Sequence, residues 1–164
     1  MTSDLNLIVC LALNGAIGFG NRLLYRLPSD LRRFKELTWG HTVLMGRLTY
    51  QSLPKGALPH RRNIVLTRSG VTFPGCDVYP TLALALAHTA PREKVFVIGG
   101  ASVYRDALSL VSRLFLTVVD DRPSRADTFF PRFDSSDWRE LKREHHPADA
   151  RDERPYDFVV LERK

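Results

Sequence analysis

Seven consecutive apolar residues, Leu7-Ile8-Val9-Cys10-Leu11-Ala12-Leu13, constrain this chain more than anything else in it. A strand with one wet face alternates apolar and polar residues, whereas an uninterrupted run is apolar on both faces and belongs inside a sheet covered on both sides, as parallel sheets are. The rest of the chain keeps that pattern. Thr42–Met45, Asn63–Thr67, a short stretch at Val78, Val95–Ile98, Arg113–Val118 and Phe158–Glu162 read as further strands. Helical spacing falls between several of them, near Thr49–Leu53, from Thr81 to about Ala90, and from Ser102 onward. Alternating strands and helices specify an α/β sheet with right-handed crossovers. Gly18, Gly20 and Asn21 read as a flexible loop.

The chain has 164 residues, 44% hydrophobic and 26% charged. That length fits one domain, 1–164, with no linker or repeat. No window approaches the ~20 apolar residues a bilayer-spanning helix needs. The Leu7–Leu13 run has neither a basic lead-in nor a small-residue cleavage site, so no signal peptide is expected. Cys10 and Cys76 make no CxxC pair, which argues against a disulfide framework or zinc site and for a reducing cytoplasm. The formal charge of +6 is spread along the chain without aromatic interleaving, so it suits small anionic ligands better than nucleic acid. The histidines lack ligand spacing such as HExxH, and no metal is expected.

One carboxylate stands in an apolar place. In Leu27-Pro28-Ser29-Asp30-Leu31-Arg32-Arg33-Phe34-Lys35-Glu36-Leu37, Pro28 suits a first helical turn. Asp30, Phe34 and Leu37 then share one line of the helix, with Leu27 and Leu31 beside them. A carboxyl held there keeps its proton, as catalytic and ligand-holding acids do. An acid in a first helical turn also answers the helix dipole, so this run by itself leaves both readings open.

Two strands end in glycine and feed a helix, at Met45-Gly46-Arg47-Leu48-Thr49 and at Ile98-Gly99-Gly100-Ala101-Ser102. Ligands of open α/β sheets bind beyond such strand ends, where glycine lets phosphates approach the backbone. Each alone could simply turn the chain. Gly18-Phe19-Gly20 is not a Rossmann fingerprint, because Leu23 stands where the third glycine would be. Arg47 and Arg68 follow strand ends, and Arg68 lies between Thr67 and Ser69, a set that suits a phosphomonoester and hence NADPH over NADH. Singly, each arginine reads as a solvated charge.

Taken in order, these segments resemble the dihydrofolate reductase family, of the bacterial chromosomal kind. The resemblance runs from about Leu7 to the C-terminus. It is carried by Ala16-Ile17-Gly18, Leu27-Pro28-Ser29-Asp30-Leu31, Phe34-Lys35, Met45-Gly46-Arg47 with Thr49, Leu58-Pro59 with Arg61-Arg62-Asn63, Val97-Ile98-Gly99-Gly100 with Tyr104, Leu116-Thr117, and Asp127-Thr128 with Phe130-Pro131. It implies a single-domain mixed α/β fold with an eight-stranded, mostly parallel sheet and four flanking helices. It implies NADPH-dependent reduction of 7,8-dihydrofolate to tetrahydrofolate, serving one-carbon metabolism, in a cytoplasmic monomer open to antifolate inhibitors.

The resemblance also implies residue roles. Asp30 would hold the aminopyrimidine part of the substrate and assist protonation, with Thr117 supporting it through water. Ile8, Val9, Leu31, Phe34 and Ile98 would line the pterin side, and Arg61 would bind the glutamate α-carboxylate. Arg47, Thr67 and Arg68 would surround the 2′-phosphate. Gly46, Leu48, Thr49 and Leu66 would complete the cofactor side with Gly99, Gly100, Ala101, Ser102, Val103 and Tyr104. Cys10, Ala12, Ile17, Gly18, Asn21, Arg22, Leu23 and Thr128 would meet the cofactor from the first strand, the gating loop and the later turn. Gly99-Gly100 matches the family's cis peptide.

The chain departs from the family in two places. Leu24-Tyr25 replaces the usual Pro-Trp, so the Tyr25 hydroxyl would hold the water an indole N–H normally holds. Leu48 replaces a basic or polar residue near the cofactor phosphates. A pyrimidine reductase on the same fold would keep the NADPH side but need not keep Asp30, Phe34 and Arg61 together. A non-catalytic pterin- or dinucleotide-binding protein is the remaining alternative.

Overall fold

The computed structural model describes residues 3–164. The fold is mixed α/β, with an eight-stranded sheet, a separate three-stranded sheet and four α-helices. The strands are β1 (Asp4–Ala12), β2 (Ala16–Phe19), β3 (Arg22–Leu23), β4 (Thr42–Gly46), β5 (Arg62–Leu66), β6 (Cys76–Tyr79), β7 (Lys94–Gly99), β8 (Arg113–Val119), β9 (Thr128–Phe129), β10 (Trp138–His146) and β11 (Tyr156–Arg163). The helices are α1 (Pro28–Thr38), α2 (Arg47–Ser52), α3 (Leu82–Ala87) and α4 (Ala101–Ala107). In the large sheet the hydrogen-bonded order is β10-β11-β8-β1-β7-β4-β5-β6. The chain clusters into two compact units, the first running to Leu7 and then over Thr38–Val111, the second over Ile8–Leu37 and Ser112–Lys164.

The first unit is the parallel one. Its strands pair β1 with β7, β7 with β4, β4 with β5 and β5 with β6, all parallel. The apolar runs are buried as such runs require. Val43, Leu44, Met45, Ile64, Val65, Val95 and Val97 are fully enclosed. Tyr50, Leu53, Leu58, Phe73 and Ile98 pack against the cluster of Val43, Met45 and Val65. Thr81 caps α3 by accepting the Leu84 N–H at 3.1 Å. β1 begins at Asp4, three residues before the apolar run. Its extra length is an alternating Leu5-Asn6-Leu7 start, in which the buried Asn6 satisfies its amide on the Asp4 carbonyl at 3.1 Å.

The second unit is antiparallel where it could not be read from the sequence. β11 pairs with β8 and β10, with Phe158 opposite Thr117 and Trp138 opposite Arg163. β10, Trp-Arg-Glu-Leu-Lys-Arg-Glu-His-His, is missing from the sequence-based reading. Only Trp138 in it is buried, so its charged sequence carries no alternation. Its charges pair across the strands instead, Arg143 to Asp157 at 2.7 Å and Arg139 to Glu162 at 3.0 Å. Gly18, Gly20 and Asn21, expected to form a flexible loop, lie in a hairpin over residues 16–23. β2 pairs with β3 across Gly20 and Asn21, whose φ values of 58° and 60° are those a two-residue mirror-image turn requires. β9 adds to the other edge of β2.

Candidate active site

Asp30 sits in the first turn of α1, and a buried carboxylate holds that turn in place. Asp152 is 2% exposed, accepts the Ser29 N–H at 3.0 Å and accepts the Tyr156 hydroxyl at 3.1 Å. This tie satisfies an amide that α1 cannot satisfy internally. Nothing in the local sequence around Asp152 marks it, because its partners lie 123 residues away and four residues ahead.

Asp30 itself lines a pocket with Cys10, Ile17, Leu23, Leu24, Tyr25, Leu27 and Leu31. Six of these eight walls are aliphatic side chains or a thiol, so the carboxyl faces a space with little to solvate a charge. Burial raises the Asp30 pKa above its ordinary value. The Thr117 hydroxyl, which donates directly to Asp30 Oδ1, and the Arg33 guanidinium oppose that rise, while the Asp152 charge adds to it. The contact between Thr117 and Asp30 is direct, where the family resemblance implied a water between them. Burial also pushes the Cys10 thiol well above its usual range, and the Asp30 charge pushes it the same way.

Tyr25 borders this pocket, but its hydroxyl has a protein partner. It donates to Asp121 Oδ2 at 2.8 Å, and Arg154 lies 3.5 Å from Asp121 Oδ1. Burial, followed by the bond to this carboxylate, raises the Tyr25 pKa. The hydroxyl proton is committed to Asp121, and its lone pairs remain to accept from a water.

The other expected residues of the second unit are distributed as follows. Ile8, Val9 and Ala12 are buried in β1, and Phe34 is half-buried on α1. Ile17 and Gly18 lie in β2, Asn21 in its turn, and Arg22 and Leu23 in the exposed β3. Thr128 lies in β9 and donates to Asp127 Oδ1 at 2.8 Å, while Asp127 Oδ2 accepts the Gly20 N–H at 3.0 Å. Asp127 therefore fixes the hairpin turn, a part the sequence-based reading did not give it.

In the first unit, the two strand–glycine–helix turns lie side by side. Gly99 and Gly100 are joined by a cis peptide, and Gly99 has φ 144°. A Cβ on Gly99 would stand 2.9 Å from Thr49 Oγ1, and one on Gly46 would stand 3.3 Å from Val103 Cγ2 and 3.9 Å from the Gly100 nitrogen. Gly46 and Thr49 thus lie close against Gly99, Gly100 and Val103, while Arg47, Leu48, Ala101, Ser102 and Tyr104 follow these turns in α2 and α4. Ile98 precedes Gly99 at the end of β7, and Leu66 ends β5. Arg47 and Arg68 are exposed, and Thr67 and Ser69 share a hydroxyl hydrogen bond at 3.0 Å just before and after Arg68. Two arginines and two hydroxyls fit a ligand with several phosphates, one of them terminal. Arg61 donates to the Pro59 carbonyl at 2.9 Å and to Thr38 Oγ1 at 3.1 Å, and stacks 5.4 Å from the Trp39 ring. Those contacts hold its guanidinium in one orientation, as a carboxylate clamp needs.

Comparison with known proteins agrees with this arrangement. Residues 4–163 match the family model described as dihydrofolate reductase. The chain is 41% identical to the type 3 dihydrofolate reductase of Salmonella typhimurium over 98% of both chains. It is 36% identical to the dihydrofolate reductase of Bacillus subtilis, covering 98% of this chain and 95% of that one. Among solved structures, it matches the dihydrofolate reductase of Enterococcus faecalis complexed with NADP(H) and RAB-propyl. There the TM-score is 0.89 and the identity 29%, over 100% of this chain and 99% of that one. The chain belongs to the dihydrofolate reductase family.

Proposed function

We propose that this chain reduces 7,8-dihydrofolate to 5,6,7,8-tetrahydrofolate with NADPH. The observation that carries the reading is Asp30, a carboxyl in an otherwise apolar pocket, hydrogen-bonded by Thr117 and with its pKa raised by burial. Family membership and the NADP(H) complex of the Enterococcus faecalis relative support it.

Reduction of a carbon–nitrogen double bond needs a hydride at carbon and a proton at nitrogen. NADPH supplies the hydride when bound. The chain supplies the rest. Asp30 is placed to accept hydrogen bonds from an aminopyrimidine and, because burial raises its pKa, to hold a proton to higher pH than an exposed carboxyl does. Thr117 fixes which carboxyl oxygen faces the pocket. Ile17, Leu27 and Leu31 line the pocket around it with apolar surface. Arg61 holds a ligand carboxylate. Arg47, Thr67 and Arg68 hold the 2′-phosphate, and the close turns at Gly46 and Gly99-Gly100 admit the dinucleotide backbone. The hairpin 16–23 serves as the gate over the nicotinamide. The whole chain works as one cytoplasmic, monomeric domain whose pterin pocket also takes antifolates.

Steady-state NADPH oxidation with dihydrofolate tests this reading. Turnover that depends on both ligands is expected. Turnover with an aminopyrimidine ribitol substrate in place of dihydrofolate would favour a pyrimidine reductase. Tight binding of both ligands without turnover would favour a binding protein.

A further inference from the structure

Arg33 follows Asp30 by three residues on α1, so the two side chains leave neighbouring positions of one helix face. The guanidinium carbon lies 4.2 Å from the centre of the Phe158 ring. Phe158 is the cross-strand partner of Thr117. The four residues close a square, in which Asp30 and Arg33 stand on the helix and Thr117 and Phe158 on paired strands. Thr117 binds Asp30 along one side, and Phe158 seats Arg33 along the other.

Arg33 is unusual within that square. Its Nη1 is buried and has no hydrogen-bond acceptor among the described residues. A buried donor left unsatisfied is destabilising, and a hydrophobic residue on Phe158 would avoid that cost. The guanidinium stays charged even though burial lowers its pKa, because Asp30 and Glu144 both favour the charged form. A half-buried charge over an aromatic face is screened less than one in open water.

We infer that Arg33 is a positioning residue for the reaction, a fixed positive charge behind Asp30 that sets the pH range over which the acid is productive. This rests on the reductase reading above. Burial and Asp152 push the Asp30 carboxyl toward holding its proton too tightly, while Thr117 and Arg33 draw it back. Thr117 acts through a hydrogen bond and Arg33 through its field. The groups facing this pair come from every packed element: Cys10 on β1, Asp152 before β11, Tyr156 on β11, and Glu144 on β10. His146 packs on the same Phe158 ring at a tilt of 58°, centroids 4.9 Å apart, and hydrogen-bonds to Glu144 at 2.9 Å. All of these remain when Arg33 alone is changed, so a difference between variants reports the guanidinium.

The test is the pH profile of single-turnover hydride transfer, with NADPH and dihydrofolate saturating, for the wild-type chain, Arg33→Met and Arg33→Lys. Methionine keeps the stem on Phe158 and removes the charge. Removing a positive neighbour raises a carboxyl pKa, so the fall in rate at alkaline pH should move upward by about one pH unit in Arg33→Met, the low end of what a nearby opposite charge contributes. Arg33→Lys should keep the wild-type midpoint. Should Arg33→Met fail to fold, Arg33→Gln carries the same expectation. An unmoved midpoint in a folded neutral variant of an active enzyme overturns the inference and leaves the reductase reading intact. Absence of turnover in the wild-type chain overturns both.

Discussion

Thr117 Oγ1 donates a hydrogen bond to Asp30 Oδ1 across 87 residues of sequence, from a strand to the first turn of a helix. This bond joins the buried β8 to the one carboxylate that lines the apolar pocket. It gives the acid an orientation, and it moderates the rise in pKa that burial imposes. Several expectations follow from the physics of that one contact and its neighbours.

Thr117→Val keeps the side-chain volume and removes the donor. A hydrogen bond to a carboxylate favours the ionised form, so its loss raises the Asp30 pKa further. The alkaline limit of hydride transfer should move to higher pH. The fold should lose about 1–3 kcal/mol at pH 7, because a largely enclosed carboxylate loses a partner. Single-turnover rates against pH and urea unfolding at fixed pH check the two halves. A profile unchanged in a folded variant would detach Thr117 from the acid.

Asp30 should cost the fold stability at neutral pH. Its folded-state pKa is raised above the unfolded value of 3.8. The favourable contribution of the protonated acid is therefore fully present below that unfolded value and is lost as pH rises through the raised folded one. Asparagine keeps an oxygen for Thr117 and has no charge to desolvate. Asp30→Asn should melt higher than wild type at pH 7, and the gain should shrink toward zero by about pH 3, where both side chains are neutral. Thermal melts at the two pH values read this directly. A variant that melts lower at pH 7 would mean that Asp30 is favourably ionised in the fold.

How much of this could be read from the sequence depends on range. β4, β5 and β7 show as continuous apolar runs because both of their faces are covered. Asp30 shows because it breaks an apolar helical stripe. β10 does not show, because its stability comes from pairing with β11 and from charges such as Arg143 on Asp157, not from an apolar face. The hairpin at Gly20-Asn21 looks like a loop because its strands are only four and two residues long. Asp152 and Arg33 shape the electrostatics of Asp30 through partners far away in sequence or through a field, and neither leaves a local pattern. Tyr25 shows as a departure from the family, but its partner Asp121 is visible only in the fold.

The phosphate side has its own expectation. Arg68 is exposed and is bracketed by the hydrogen-bonded hydroxyls of Thr67 and Ser69. Arg68→Ala should weaken NADPH by about tenfold or more, the value of a lost charge-assisted hydrogen bond, and leave NADH nearly unchanged. Titration of each cofactor by fluorescence separates the two. Equal weakening of both would move the 2′-phosphate away from Arg68.

The central claim is that the Asp30 carboxyl manages the proton that reduction requires. It is tested most directly by the single-turnover rate of hydride transfer in Asp30→Asn, measured against wild type across the pH range with NADPH and dihydrofolate saturating. The account expects a loss of about 10²–10⁴-fold near pH 7, the usual worth of a positioned acid, and partial recovery as acid lets solvent deliver the proton. A rate close to wild type at pH 7, or a loss of the same size at every pH, would contradict it.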